Sequence, residues 1–283
     1  MKILVTGATG LLGYDIMREL KIRKFNPVGI GSKDCNITNL SEVDSTVRRV
    51  NPDIIIHCAA YTDADEAENQ INLCNMTNIQ GTYNLVQVSK KLDVKFVYIS
   101  TDYVFNGEGS VPWQVEDIRD PLNQYGISKY LGELIVENNI DKYFIIRVSW
   151  LFGMHGDNFI KSVLKLLETR DKLYVVNDQV GSPTYFTDAS RTIIDIIQTN
   201  KYGKYHVTNE GFCSWYDFAC EIVKHIDNKK NRIYPISSKE FNVRAKRPKN
   251  SRLDKSKLEE CGLKKLPLWQ DALERFFYEC YKH

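Results

Sequence analysis

The sequence predicts an α/β protein: a doubly wound parallel sheet with a smaller mixed C-terminal lobe. Three observations carry that expectation. Apolar runs of five to seven residues alternate with segments of helical period. The runs are apolar throughout, as strands covered on both faces are. A glycine-rich turn, Gly7-x-x-Gly10-x-x-Gly13, stands between the first run and the first helical segment, which makes the sheet Rossmann-type.

The run 2–6 (KILVT) is the first strand. Residues 11–23 form a helix with Leu12, Ile16, Leu20 and Ile22 near one face. A short strand follows at 27–30. Runs 53–59 (DIIIHCA) and 94–100 (VKFVYIS) are buried strands, with helical segments before and after them. Residues 124–138 are helical and 143–149 (YFIIRVS) form a strand. Repetition of strand and helix puts helices on both faces of a parallel sheet. After Trp150 the pattern loosens. Helices are expected at 157–169, 187–198 and 214–227, a basic, loop-rich stretch at 229–252, and an amphipathic helix near 267–281. The expected division is a dinucleotide-binding half at 1–150 and a mainly substrate-binding lobe at 151–283, some of whose elements cross back.

The 283 residues suit one large domain or two modest ones. With 43% hydrophobic and 26% charged residues, disordered and low-complexity classes are excluded. A net charge of +2, from 38 basic and 36 acidic side chains, offers no global case for nucleic acid or membrane binding. No apolar run has the length of a membrane span, and the N-terminus reads as strand and turn, not as a signal peptide. Seven cysteines, an odd count without a C-x-x-C pair, make a disulfide framework or metal cluster unexpected. Free thiols fit a reducing, cytoplasmic compartment. His155, His206, His225 and His283 have no metal-ligand spacing, and His57, after three isoleucines, reads as a core histidine.

Glycines at 7, 10 and 13 let a phosphate approach the main chain, where the N–H groups of a helix N-terminus face it. The expected ligand is a dinucleotide. A carboxylate at the end of the second strand would bind the ribose 2′-OH of NAD. Here that stretch reads Gly29-Ile30-Gly31-Ser32-Lys33-Asp34, with no acid at the strand end. Ser32 and Lys33 are placed to meet a 2′-phosphate, and Asp34 is the alternative ribose partner, so the cofactor is NADPH or NADH.

Tyr125 and Lys129 lie four apart on a predicted helix and point the same way. An ammonium beside a phenol lowers its pKa, and such a tyrosine exchanges protons with a substrate oxygen. With 16 tyrosines a chance match is expected, and Tyr278 with Lys282 reads as one, on the surface. The first pair has better surroundings. Ser100-Thr101-Asp102 ends a main strand on its carboxyl side, where open α/β sheets place ligands. Cys58, Ala59 and Ala60 end the strand before it with small side chains that leave room for a cofactor.

These residues resemble the extended short-chain dehydrogenase/reductase superfamily, and within it the dTDP-4-dehydrorhamnose reductases. The similarity runs through GATGLLG at 7–13, HCAAYTDADEAE at 57–68, STDYVFNG at 100–107, PLNQYGISKYLGE at 121–133, RVSWLFG at 147–153 and NDQVGSPT at 177–184. RPKNSRLD at 247–254 is a weaker echo. The resemblance implies that Gly10, Leu11 and Leu12 line the cofactor pyrophosphate, and that Ala60, Tyr61 and Thr62 pass beside its ribose and nicotinamide. It implies Tyr125 as proton donor, Lys129 as ribose partner, and Thr101 as hydrogen-bond donor to a sugar carbonyl. Asp102 and Trp150 are then substrate contacts, and Asn78 anchors a proton relay. The implied partner is a nucleotide sugar, with a homodimer left open. Two alternatives stand beside the reductase. One is a nucleotide-sugar dehydratase or epimerase, although Tyr103 stands where dehydratases of this kind carry an acid after Thr-Asp. The other is a non-catalytic, nicotinamide-binding regulatory subunit, like the similar beta subunit of methionine adenosyltransferase.

Overall fold

The computed structural model describes residues 1–226, 232–241 and 243–282. The first half alternates β1 (Lys2–Thr6), α1 (Leu11–Ile22), β2 (Asn26–Ile30), α2 (Leu40–Val50), β3 (Ile54–His57), α3 (Ala64–Asn69), α4 (Ile71–Asn75), α5 (Gly81–Leu92), β4 (Lys95–Thr101), α6 (Gln124–Asn139) and β5 (Tyr143–Val148). A π-helical turn, Met76–Gln80, joins α4 to α5. The second half holds β6 (Leu151–Phe152), α7 (Phe159–Thr169), β7 (Leu173–Val176), β8 (Val180–Gly181), β9 (Thr184–Tyr185) and α8 (Phe186–Ile197). It ends with β10 (Gly203–His206), β11 (Cys213–Ser214), α9 (Trp215–Lys224), β12 (Ile233–Ile236), α10 (Ser256–Glu260) and α11 (Trp269–Lys282).

Six parallel strands form the main sheet in the order β10-β5-β4-β3-β1-β2. The uniform apolarity of the strands has a direct cause. On one face Ile3, Val5, Ile54, Ile56, Val97 and Ile146 pack with α1 and α8. On the other Leu4, Ile55, Phe96 and Ile145 pack with α2, α5 and α6. Pro27 is tolerated within β2 because β2 is the edge strand, where a missing N–H breaks no ladder. A separate core, including Phe152, Ile160, Phe218, Leu273 and Phe276, fills the C-terminal half.

Two differences from the sequence reading have simple causes. β3 stops at His57 instead of 59 because the chain peels away there towards the glycine turn. The stretch expected to be loop-rich contains β12, which pairs in parallel with β7; residues 229–231 of that stretch, residue 227 of the predicted helix 214–227, and His283 lie outside the described residues. From the second half of the chain, β10 completes the main sheet beside β5.

A buried charge network ties the sheet to α6. Arg147 of β5 and Glu133 of α6 are both fully buried, and Arg147 donates to both carboxylate oxygens (2.9 and 2.8 Å). Arg119 donates to Oε2 (2.8 Å) and Ser100 of β4 to Oε1 (2.5 Å). Burial would raise the Glu133 pKa, yet Arg147, Ser100 and Arg119 hold it down to about 2. Arg147 also donates to the Val115 carbonyl (2.9 Å) and to His206 Nε2 (3.2 Å), whose Nδ1–H donates to the Asp254 carbonyl (2.9 Å). Removing one partner of a buried pair strands the other charge, at a cost of about 3–5 kcal/mol. Glu133→Gln is therefore expected to lose stability of that order in urea denaturation. A loss below about 1 kcal/mol, the range of surface pairs, would show that the pair does not anchor α6.

Candidate active site

The carboxyl ends of β1, β3, β4 and β5 open into a cavity of about 720 Å³. It lies where the strand order reverses, between β1 and β3. Gly7 takes φ +63°, and a Cβ there would sit 2.6 Å from the Ala59 nitrogen. A Cβ on Gly13 would sit 2.1 Å from the Gly7 carbonyl oxygen. Both positions need glycine for close backbone approach. Gly10 caps α1 and supplies no side-chain bond to the helix N-terminus. Its N–H groups and dipole therefore face the cavity, which fits the diphosphate of a dinucleotide.

Of the residues singled out from the sequence, Gly7, Gly10, Leu11, Leu12, Gly13, Ser32, Ala59, Ala60, Thr62, Ser100, Thr101, Asp102, Tyr125, Lys129 and Trp150 border this one cavity. Lys33, Tyr61 and Asn78 do not. Lys33 is exposed. The turn behind it is closed by Asp34 N–H donating to the Gly31 carbonyl (3.0 Å) and by Asp34 Oδ2 accepting from Gly31 N–H (2.8 Å). That bond also occupies the Asp34 carboxylate. The polar side chains at the end of β2 are instead Ser32 and Thr9, whose Oγ1 lies 3.3 Å from where a Gly31 Cβ would stand. Thr9 lies inside the glycine motif and carried no separate signal in the sequence.

Asn78 works from behind the cavity wall. It accepts from Tyr61 N–H (2.7 Å) and donates to the Tyr61 carbonyl (3.0 Å) and to Ser128 Oγ (2.8 Å). Ser128 in turn donates to the Tyr125 carbonyl (2.7 Å). His57 is a buried core histidine with an assignable tautomer. Thr82 donates to the Asn78 carbonyl (2.7 Å), so it accepts from His57 Nε2–H (3.0 Å), and Nδ1 accepts from Thr6 (2.7 Å). Burial pulls the His57 pKa down to about 3, so it stays neutral.

Thr101, Tyr125 and Lys129 meet on the cavity wall. The Thr101 hydroxyl lies beside the Tyr125 phenol and favours its ionised form, and it caps the short turn Asp102–Val104 through Tyr103 N–H (3.2 Å). Lys129 is buried with its ammonium 4.0 Å from the Tyr98 ring centroid, a cation–π contact. Gly132 makes room for that ring, since a Cβ there would meet the Tyr98 oxygen at 2.0 Å. Burial pulls Lys129 down to about 7, with Glu133 opposing. The expected lowering of the tyrosine is overturned. Burial raises the Tyr125 phenol above its usual value; the Thr101 hydroxyl opposes this and the Asp102 carboxylate adds to it. Lys129, turned over Tyr98, does not outweigh desolvation. The second match behaves as surface: Tyr278 is 62% exposed, and the side chain of Lys282 lies outside the described residues.

Asp102 Oδ1 accepts from Thr101 (3.2 Å), whereas Asp102 Oδ2 and the neighbouring Ser149 Oγ are buried with no hydrogen-bond partner among the described residues. Unsatisfied polar atoms on a cavity wall mark where a polar ligand fits. Trp150 closes the same wall, stacked on Trp215 at 3.6 Å between ring centroids. Trp215, at the start of α9, was missed from the sequence because nothing local ties it to a site some sixty residues earlier.

Burial raises the Asp102 pKa to about 6 from 3.8, with the Ser251 and Thr101 hydroxyls opposing. The folded protein thus binds this proton more tightly than the unfolded chain, and stability is lost as pH rises from about 4 to 6. Asp102→Asn should be more stable than the parent at pH 7, by on the order of 3 kcal/mol. The gain should shrink towards pH 4, as measured by thermal melts across that range. A gain independent of pH would remove the ionised carboxylate as its cause.

The RmlD substrate binding domain family matches residues 1–282. A spore coat polysaccharide biosynthesis protein, SpsK, of Bacillus subtilis is 37% identical, covering 98% of this chain and 97% of its own length. A dTDP-4-dehydrorhamnose reductase of Aggregatibacter actinomycetemcomitans is 35% identical, covering 96% of this chain and 97% of the relative. The crystal structure of the Bacillus anthracis dTDP-4-dehydrorhamnose reductase in complex with NADP is 42% identical, with a TM-score of 0.95 over 98% of this chain and 99% of that one. Glycine cradle, strand-end hydroxyls and Tyr–Lys pair thus lie in a chain alike from end to end, and it belongs to the RmlD substrate binding domain family, that of the dTDP-4-dehydrorhamnose reductases.

Proposed function

We propose that the protein reduces the C4 ketone of dTDP-4-dehydro-L-rhamnose to dTDP-L-rhamnose, using NADPH or NADH. The observation that carries this reading is the convergence of Thr101, Tyr125 and Lys129 on the cavity that the glycine cradle also borders. Residues 1–150 are the cofactor half in this reading and 151–283 mainly the substrate half. Seven free cysteines suit a cytosolic site of action.

A bound nicotinamide supplies the hydride. The protein binds, orients and moves the proton. Gly10, Leu11 and Leu12 would hold the cofactor diphosphate on main-chain N–H groups, and Lys129 would hold its ribose. Thr101 and Tyr125 direct their hydroxyls at the ketone oxygen, and Tyr125 O–H passes its proton to that oxygen as negative charge builds there. A phenol kept protonated by burial is the right form for an acid. Asp102 and Trp150 hold the sugar. The dehydratase reading is disfavoured because Tyr103, not a second acid, follows Asp102.

Tyr125→Phe should lower kcat by about 10²- to 10⁴-fold, with cofactor affinity nearly unchanged, in assays of NADPH oxidation with the keto sugar. Lys129→Met should be worse, and Tyr278→Phe should match the parent. Turnover close to the parent's in Tyr125→Phe would remove it as donor. Formation of a 4-keto sugar from dTDP-glucose and NAD would support the dehydratase instead, and co-purification with a synthetase and no keto-sugar turnover the regulatory subunit.

The end of β2, with Gly31 in place of an acid and Thr9 and Ser32 beside it, supports acceptance of NADPH at least as readily as NADH. Calorimetry with both cofactors tests this. A hundredfold preference for NADH would return Asp34 to the role of ribose partner.

A further inference from the structure

Trp150 takes φ +48°, a left-handed conformation that a bulky side chain adopts only when its surroundings impose it. Three contacts impose it. Thr184 N–H donates to the Trp150 carbonyl (3.0 Å). Gly181 has no side chain where a Cβ would come within 2.8 Å of Trp150 Cε2 and 3.0 Å of Nε1. The Trp215 ring stacks on the indole, 3.6 Å between centroids and 11° between planes.

Trp215 is itself well fixed. It is the first residue of α9, directly after Ser214, whose hydroxyl accepts from Asp217 N–H (3.0 Å) while Asp217 Oδ2 accepts from Ser214 N–H (3.0 Å). That reciprocal cap sets the start of the helix. The Phe159 ring packs against Trp215 at 4.5 Å. Gly181, Trp150, Trp215 and Phe159 thus form a layered set reaching from β8 to α7. Both indoles are only partly buried and both border the cavity, unlike aromatic rings that merely fill a core.

We propose that Trp215 is a positioning residue: stacked on Trp150, it holds that indole at the orientation in which the cavity wall receives the sugar nucleotide, in the space that Gly181 leaves open. This rests on the reading of Trp150 as a substrate contact. A side chain at 181 would meet the Trp150 indole directly, and the Trp215 ring stacks on that same indole. A methyl group at 181 and a missing ring at 215 therefore disturb the same wall from different elements. Neither touches the glycine cradle, so cofactor binding should be spared.

The test measures KM for the keto sugar, KM for NADPH and kcat in full-length Trp215→Leu, Trp215→Phe and Gly181→Ala. Melting temperatures verify that each variant folds. Trp215→Leu and Gly181→Ala should each raise the sugar KM about three- to tenfold, the range an aromatic pair supplies. The NADPH KM should stay within about twofold, and Trp215→Phe, which keeps a ring to stack, should restore most of the loss. If Trp215→Leu fails to fold, Trp215→Phe and Gly181→Ala decide. An unchanged sugar KM in Gly181→Ala, an equal rise in the NADPH KM, or a phenylalanine no better than leucine would each overturn the proposal. A parent protein that turns over the sugar while the variants match it removes the proposal alone. A parent that neither binds nor reduces the sugar removes the proposed function, and the positioning role with it.

Discussion

Glu133 is a carboxylate shielded from water, and the geometry of the site hangs on how its charge is met. Arg147 brings a forked guanidinium from β5, Ser100 a hydroxyl from β4, and Arg119 a second cation. Those bonds fix α6 against the two strands at one rotation and one height. Lys129 stands one helical turn before Glu133 and Tyr125 one turn before that, while Thr101 follows Ser100 directly. Lys129 is thus one turn and Tyr125 two turns from Glu133, and Thr101 is one residue from the Ser100 that binds it. Forked pairing explains why a planar guanidinium serves at 147 and a lysine would not.

The same network reaches the C-terminal half. Arg147 binds His206 of β10, and His206 binds the carbonyl of Asp254. Further bonds run across: Asp65 accepts from Ala245 N–H and pairs with Arg247, Asn123 donates to the Lys246 carbonyl, and Asn250 N–H donates to Gly107. The late segment 245–254 is strapped onto the first half by polar contacts, with few apolar side chains of its own. That composition made it read as loop in the sequence.

Stability is spent locally at the cavity wall. Asp102 keeps a charge that burial opposes, Trp150 a backbone angle that its side chain resists, and Ser149 a hydroxyl with no partner among the described residues. Strain and unsatisfied groups gather where a ligand is to be met, and the well-satisfied network around Glu133 surrounds them.

The sequence alone determined the first five strands of the main sheet, the glycine turn, the Tyr125–Lys129 pair and the strand-end residues Ser100 to Asp102. Each is a local pattern: a run with the period of its element, a turn with its required glycines, or two side chains one helical turn apart. Tertiary structure decided what depends on elements far apart in the chain. It directed Lys33 to solvent and put Thr9 beside Gly31. It sent Asn78 to Tyr61 and Ser128 instead of the cavity, and it set the Tyr125 pKa by burial instead of by Lys129. It paired Trp150 with Trp215 and completed the main sheet with β10. The physical reason is common to all of these. Orientation, desolvation and stacking are set by the neighbours that folding brings together, and no spacing along the chain encodes them.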